Sequence, residues 1–128
     1  MADYTGGMFL VTSNKPRQLL YLSYLQRVKP EELRRGIEDV KVLMTDLTPG
    51  FRLLADFGRL ESMDLACTSE IGRLMELIDQ RGVGQLVRVI PDPSKDIGLD
   101  ILSIFHYRHH PQVVTCKNLA EAFKKLSL

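Results

Sequence analysis

The chain has 128 residues, 45% hydrophobic and 26% charged, with 17 basic against 16 acidic side chains and a net charge of +1. That length predicts one domain, residues 1–128, able to bury a core without a metal or disulfide. The balanced charge, with basic residues scattered along the chain, argues against a surface built to grip nucleic acid or anionic lipid. Cys67 and Cys116 match no zinc spacing and no redox pair, so they read as reduced thiols. No basic-then-apolar leader opens the chain, and no apolar run approaches the roughly 20 residues that span a bilayer. The expectation is a cytoplasmic protein with no membrane insertion.

Residues 1–7 are polar and read as a loose lead-in. Met8-Phe9-Leu10-Val11, the turn chemistry of Asn14-Lys15-Pro16-Arg17, and the run Leu19 to Leu25 predict an N-terminal hairpin. Pro30-Glu31-Glu32 suits a helix start, and Leu33, Ile37, Val40, Met44 and Leu47 trace one helical face. Pro49-Gly50 stops that helix, and Phe51 to Phe57 reads as a central strand buried on both sides.

A second helix is expected from Asp64 to Arg81, with Cys67, Ile71, Leu74, Met75 and Ile78 inward and Gly82 closing it. Leu86 to Ile90 is the next strand, broken by Pro91-Asp92-Pro93. Ser94 or Asp96 caps a third helix carrying Ile97, Ile101, Ile104 and Phe105 on one side, ended by Pro111. Val113 to Cys116 is a last strand. Asn118 with Glu121 forms a capping box for a final helix through Leu119, Ala122, Phe123 and Leu126. The order ββαβαβαβα implies an α/β domain: a mixed, mainly parallel sheet of four or five strands with about four helices.

The stretch Phe51 to Ile90 is the most informative. A strand feeding a helix start places unsatisfied N–H groups and the positive end of a helix dipole at one point. Around this junction stand one carboxylate, two hydroxyls and a thiol, with no histidine, lysine or glycine-rich loop. That composition suits recognition better than reaction.

The element order and three landmarks resemble the STAS domain, the fold of bacterial anti-sigma-factor antagonists and of cytoplasmic domains of sulfate transporters. The landmarks are Leu19-Leu20-Tyr21-Leu22-Ser23 leading to Glu32-Leu33-Arg34-Arg35-Gly36-Ile37; Leu53-Leu54-Ala55-Asp56-Phe57 followed by Glu61-Ser62-Met63-Asp64; and Val113-Val114-Thr115-Cys116-Lys117-Asn118-Leu119-Ala120-Glu121-Ala122-Phe123. The resemblance covers about Gln18 to Leu126. In the antagonist branch an aspartate is followed by Ser-Ser-Gly, and a partner kinase phosphorylates the second serine. Here Asp64 matches the aspartate, Leu65 and Ala66 stand in place of the serines, and Cys67 in place of the glycine. The usual acceptor is missing, which leaves Thr68 and Ser69 as displaced candidates.

Other motifs have plainer readings. Asp56-Phe57-Gly58 matches the kinase magnesium triplet, but no other kinase element is present. His106, His109 and His110 read as imidazoles at a helix C-terminus, with surface metal binding as the alternative. Gly82-Val83-Gly84 precedes a strand and serves as a helix stop, not a dinucleotide fingerprint. Asp46, Asp56, Glu61 and Asp64 read as solvated or capping carboxylates. Cys67, on the apolar stripe, reads as a buried thiol in preference to a reactive one. Tyr21 and Tyr24 read as packing under the sheet, with an exposed dimer or partner patch as the alternative.

The resemblance therefore implies a non-catalytic protein-recognition module in bacterial signalling, with no catalytic residue, cofactor or metal. Its partner would be an anti-sigma-factor-like kinase or another signalling protein, with no nucleic acid, and a homodimer stays open. Binding would use the loop from Gly58 and the helix start: Glu61, Ser62, Met63, Asp64, Leu65, Ala66, Cys67, Thr68 and Ser69. The alternative is a small-ligand or lipid-binding domain of related architecture, which a sizeable internal apolar pocket would favour.

Overall fold

A computed structural model of the chain describes residues 8–92 and 96–128, and follows residues 96, 97, 100, 104 and 105 by backbone alone. The lead-in over residues 1–7, Ser94 as a cap, and the side chains of Ile97, Ile104 and Phe105 lie outside the described residues. The elements are β1 (Met8–Asn14), β2 (Leu19–Val28), α1 (Pro30–Met44), β3 (Arg52–Met63), α2 (Cys67–Arg81), β4 (Gln85–Val89), α3 (Asp96–His106), β5 (Gln112–Cys116) and α4 (Leu119–Lys125). They form one α/β domain in the expected order.

The five strands lie in the order β1-β2-β3-β4-β5. The hairpin pair β1–β2 is antiparallel and the other three pairs are parallel. Strand β3 is central. Its Leu53, Ala55 and Phe57 enter the core beneath α1 and α2, while Leu54 enters a second, smaller core with Ala122 of α4 and Leu126 just after it. Burial on both faces explains the nearly continuous apolar run.

Helix α1 starts at Pro30, where the missing N–H costs nothing, and Glu32 Oε2 accepts from the Lys29 N–H at 3.3 Å. All five predicted inward residues, Leu33 to Leu47, are buried. The helix ends at Met44, before Pro49-Gly50, because Thr45 and Asp46 close it with short turns onto Val42 and Leu43. Gly82 ends α2 at φ 95°, a left-handed conformation that glycine adopts without strain. The Asn118 side chain accepts from the Glu121 N–H at 2.9 Å, and Glu121 accepts from Lys117 N–H at 2.8 Å, so the predicted cap of α4 is formed.

Three expectations are corrected. Strand β3 does not stop at Phe57: residues 58–63 continue it, paired to β2 through Val28↔Met63 with two register shifts. The expected loop is a strand because Leu60 and Met63 pack against the main core and draw the segment along β2. Helix α3 is rotated from the predicted phase: Ile101 is 52% exposed, while Leu99 and Leu102 pack inward. It ends at His106, five residues before Pro111, and the following Tyr107 is buried. Helix α2 begins at Cys67, and Asp64-Leu65-Ala66 form the turn leading into it.

Candidate recognition site

The junction between β3 and α2 is held by short-range bonds. Asp64 N–H donates to Val28 O at 3.4 Å, fixing the chain where β3 leaves β2. Asp64 Oδ1 accepts from Ala66 N–H at 3.0 Å, an aspartate-capped turn, and Cys67 N–H donates to Asp64 O at 2.8 Å. This turn leaves Leu65 89% exposed. Thr68 and Ser69 are exposed in the first turn of α2, and Glu61, Ser62, Asp64 and Ala66 are exposed beside them. Met63 is half-buried.

Cys67 differs from its neighbours. It is buried, and its thiol points back to Val28 O at 3.5 Å. Burial, and then the Asp64 carboxylate, push this thiol up from its ordinary pKa. Its side chain therefore belongs to the core, and the exposed side chains at the junction are those on either side of it.

Two open apolar depressions meet at the junction. One, of about 420 Å³, lies between Met63, Leu65 and Thr68 on one side and Leu99, Ile101 and Leu102 of α3 on the other. The second, of about 330 Å³, runs along Phe57, Leu60 and Met63 of β3 to Ile90 and Leu99. They share Met63 and Leu99. The interior cavity beneath α3, lined by Tyr24, Leu74, Arg88 and Tyr107 among others, is only about 20 Å³. That is room for about one water.

The remaining predicted groups resolve into structural contacts. Asp56 is buried, not solvated: its carboxylate accepts from Gly58 N–H at 2.8 Å and from the Tyr21 hydroxyl at 3.3 Å. The Tyr21 phenol is pushed up by partial burial and then by Asp56. Tyr24 is buried and stacks on Phe57 with ring centres 4.2 Å apart. His106 lies 2.5 Å from Glu76 and His109 lies 2.8 Å from Asp79, so these two imidazoles tie the end of α3 to α2. Among the described residues no three His, Cys, Asp or Glu side chains gather as a metal site. Among them, too, no helix is long and apolar enough to cross a membrane.

Sequence reasoning missed the buried charges Glu70, Asp79 and Arg88. Glu70 lies 3.5 Å from Arg34 and 3.3 Å from Arg73. Arg88 reaches the Ser103 hydroxyl at 3.3 Å. The signal for Arg88 was one cation inside Leu86-Val87-Arg88-Val89-Ile90, on the strand face that turns toward α2 and α3.

No protein-family model matches the chain, and no curated protein matches it. Solved structures do. A DUF3478-family protein of Shewanella loihica PV-4, described as having a SpoIIAA-like fold, superposes with a TM-score of 0.72 at 11% identity, covering 98% of each chain. The chain has a SpoIIAA-like, STAS-type fold. The anti-sigma factor antagonist SpoIIAA in its unphosphorylated form superposes at 0.60 with 15% identity, covering 93% of this chain and 97% of its own. An anti-sigma factor antagonist from Mycobacterium paratuberculosis superposes at 0.60 with 12% identity over 100% of both chains. Within this STAS-type fold, the β3–α2 turn carries Leu65 and Ala66 where the resemblance places serines.

Proposed function

We propose that this protein is a non-catalytic recognition module of bacterial signalling, acting in the cytoplasm by binding another protein at the β3–α2 junction. The observation that carries the reading is the exposure of Leu65, 89%, on a turn whose backbone is fixed from both sides. A large apolar side chain presented on a rigid support is the form of an interface anchor. Anti-sigma factor antagonists of the same fold support a protein partner, such as an anti-sigma-factor-like kinase.

The contact surface is Glu61, Ser62, Met63, Asp64, Leu65, Ala66, Thr68 and Ser69. With apolar side chains at the two usual serine positions, binding here is constitutive unless Thr68 or Ser69 accepts phosphate. Phosphate on either would sit at the favourable end of the α2 dipole while repelling an acidic partner surface.

The ligand-binding alternative called for a sizeable internal apolar pocket; among the described residues the cavity beneath α3 is about 20 Å³. A photo-crosslinking residue at position 65 tests the proposal in the source cell. It should trap a partner that the same residue at position 42, an exposed apolar site on α1 (Val42, 68% exposed), does not. Equal yields from both positions, or none from position 65, would count against this surface.

A further inference from the structure

Strand β3 is longer than the neighbour on its other side. It pairs with β2 as far as Met63, but its ladder with β4 ends at Asp56↔Val89. Strand β4 does not continue alongside: Ile90 N–H faces β5, donating to Cys116 O at 2.8 Å, and the next position whose N–H would face β3 is Pro91, which has none. Among the described residues, 58–63 of β3 are thus paired by β2 alone, and where β4 would have continued lies the depression of about 330 Å³. Its lining comes from the β3 segment itself, from Ile90, Pro91 and Asp92 at the exit of β4, and from Leu99 of α3.

From this geometry we infer that the depression receives an extended segment of a partner protein, which adds a strand to the free edge of β3 at Arg59–Met63. An unsatisfied strand edge is a template for main-chain hydrogen bonds, and a groove beside it selects alternate side chains. The occupant's chemistry follows from the walls. Phe57, Leu60, Ile90 and Leu99 call for apolar side chains at every second position. Glu61, exposed on the rim, calls for lysine or arginine among the others. Arg59, the basic residue of this segment, lines a depression with Asp56 and Lys117 instead. The inference rests on the protein-recognition reading but not on Leu65 as the anchor.

The test uses the whole chain, labelled with ¹⁵N, and a short capped peptide of alternating valine and lysine at millimolar concentration. Strand addition predicts that amides within residues 59–63 exchange with solvent roughly tenfold more slowly when peptide is present. The same peptide with every backbone nitrogen methylated should give no protection, because its main-chain donors are gone and the methyl groups bar the close approach that would bring its carbonyls to the β3 amides. A valine–glutamate version should bind several-fold more weakly at low salt. Absence of protection overturns the inference. So does equal protection by the methylated peptide, or protection confined to the outer edges of β1 or β5. Protection without peptide that grows with protein concentration would give the edge to a second copy and overturn it too. If these fail while crosslinking at position 65 succeeds, strand addition falls and recognition at the β3–α2 junction stands.

Discussion

His109 meets Asp79 twice: its main-chain N–H donates to Asp79 Oδ1 at 3.1 Å, and its ring Nδ1 lies 2.8 Å from Oδ2. Asp79 is 4% exposed near the end of α2, while the His109 side chain is 75% exposed. The carboxylate is thus the buried partner that holds the chain as it leaves α3. The asymmetry of burial decides which residue matters. Asp79→Ala leaves the His109 N–H without its acceptor and should cost about 1–3 kcal/mol. His109→Ala keeps the main-chain bond and should cost under about 1 kcal/mol. Urea titration of both variants checks the order, and a larger loss from His109→Ala would contradict it.

Gly36 faces the ring of Phe9, and a Cβ there would overlap that ring. Phe9 has little room to move, since it is buried and lies 4.8 Å from the Tyr24 ring, which in turn stacks on Phe57. Helix preference alone favours Gly36→Ala by about 1 kcal/mol. Overpacking of this kind costs about 1–3 kcal/mol. The variant should therefore be less stable than the wild type, read as a lower denaturation midpoint. An unchanged or raised midpoint would show that the β1–α1 contact is looser than described.

The buried ionisable groups make stability fall at alkaline pH. Burial raises Tyr24 and Tyr107 well above the phenol's ordinary 10.0, and raises Cys67 and Cys116 above the thiol's ordinary 9.0. Below about pH 8 these groups are protonated in both folded and unfolded chains and add no pH dependence. Above it the unfolded chain releases protons that the folded chain keeps, so stability drops as pH rises, by up to about 1.4 kcal/mol per unit for each such group. Tyr24→Phe and Tyr107→Phe should each flatten the decline between pH 10 and 12. A decline of unchanged slope would contradict the burial of these phenols.

The same burial predicts that Cys67 is slow toward thiol reagents despite its place at a helix start. Both thiols should react with a disulfide reagent at pH 8 only as fast as the chain opens, and fully in denaturant. Rapid modification of Cys67 in the folded protein would return it to the exposed surface.

Much of the fold could be read from the sequence because its signals are local. The hairpin turn at Asn14–Arg17, Pro30 at a helix start, Gly82 at a helix end and Asn118 with Glu121 each act within a few residues. The extension of β3 through Gly58-Arg59-Leu60-Glu61-Ser62 could not be read that way. Those residues have weak strand preference, and the segment is a strand because β2 pairs with it across two register shifts. The phase of α3 was equally hidden. Apolar residues lie on several sides of that helix, so periodicity does not single out the face that α2 covers. At the junction, Asp64 and the exposed Thr68 and Ser69 follow from position along the chain. The inward turn of Cys67 follows from its place on the apolar stripe, while its contact with Val28, 39 residues away, does not.

The central claim, recognition through the β3–α2 junction, is tested most directly by capturing a partner from the source cell with wild type and with a Leu65→Glu, Thr68→Glu variant. Asp64 is left alone because its carboxylate caps the turn. Both substituted positions are exposed, so the variant should match the wild type in stability to within about 0.5 kcal/mol per site. A partner bound by the wild type and lost by the equally stable variant is the predicted result. A partner held equally by both would place recognition on another face.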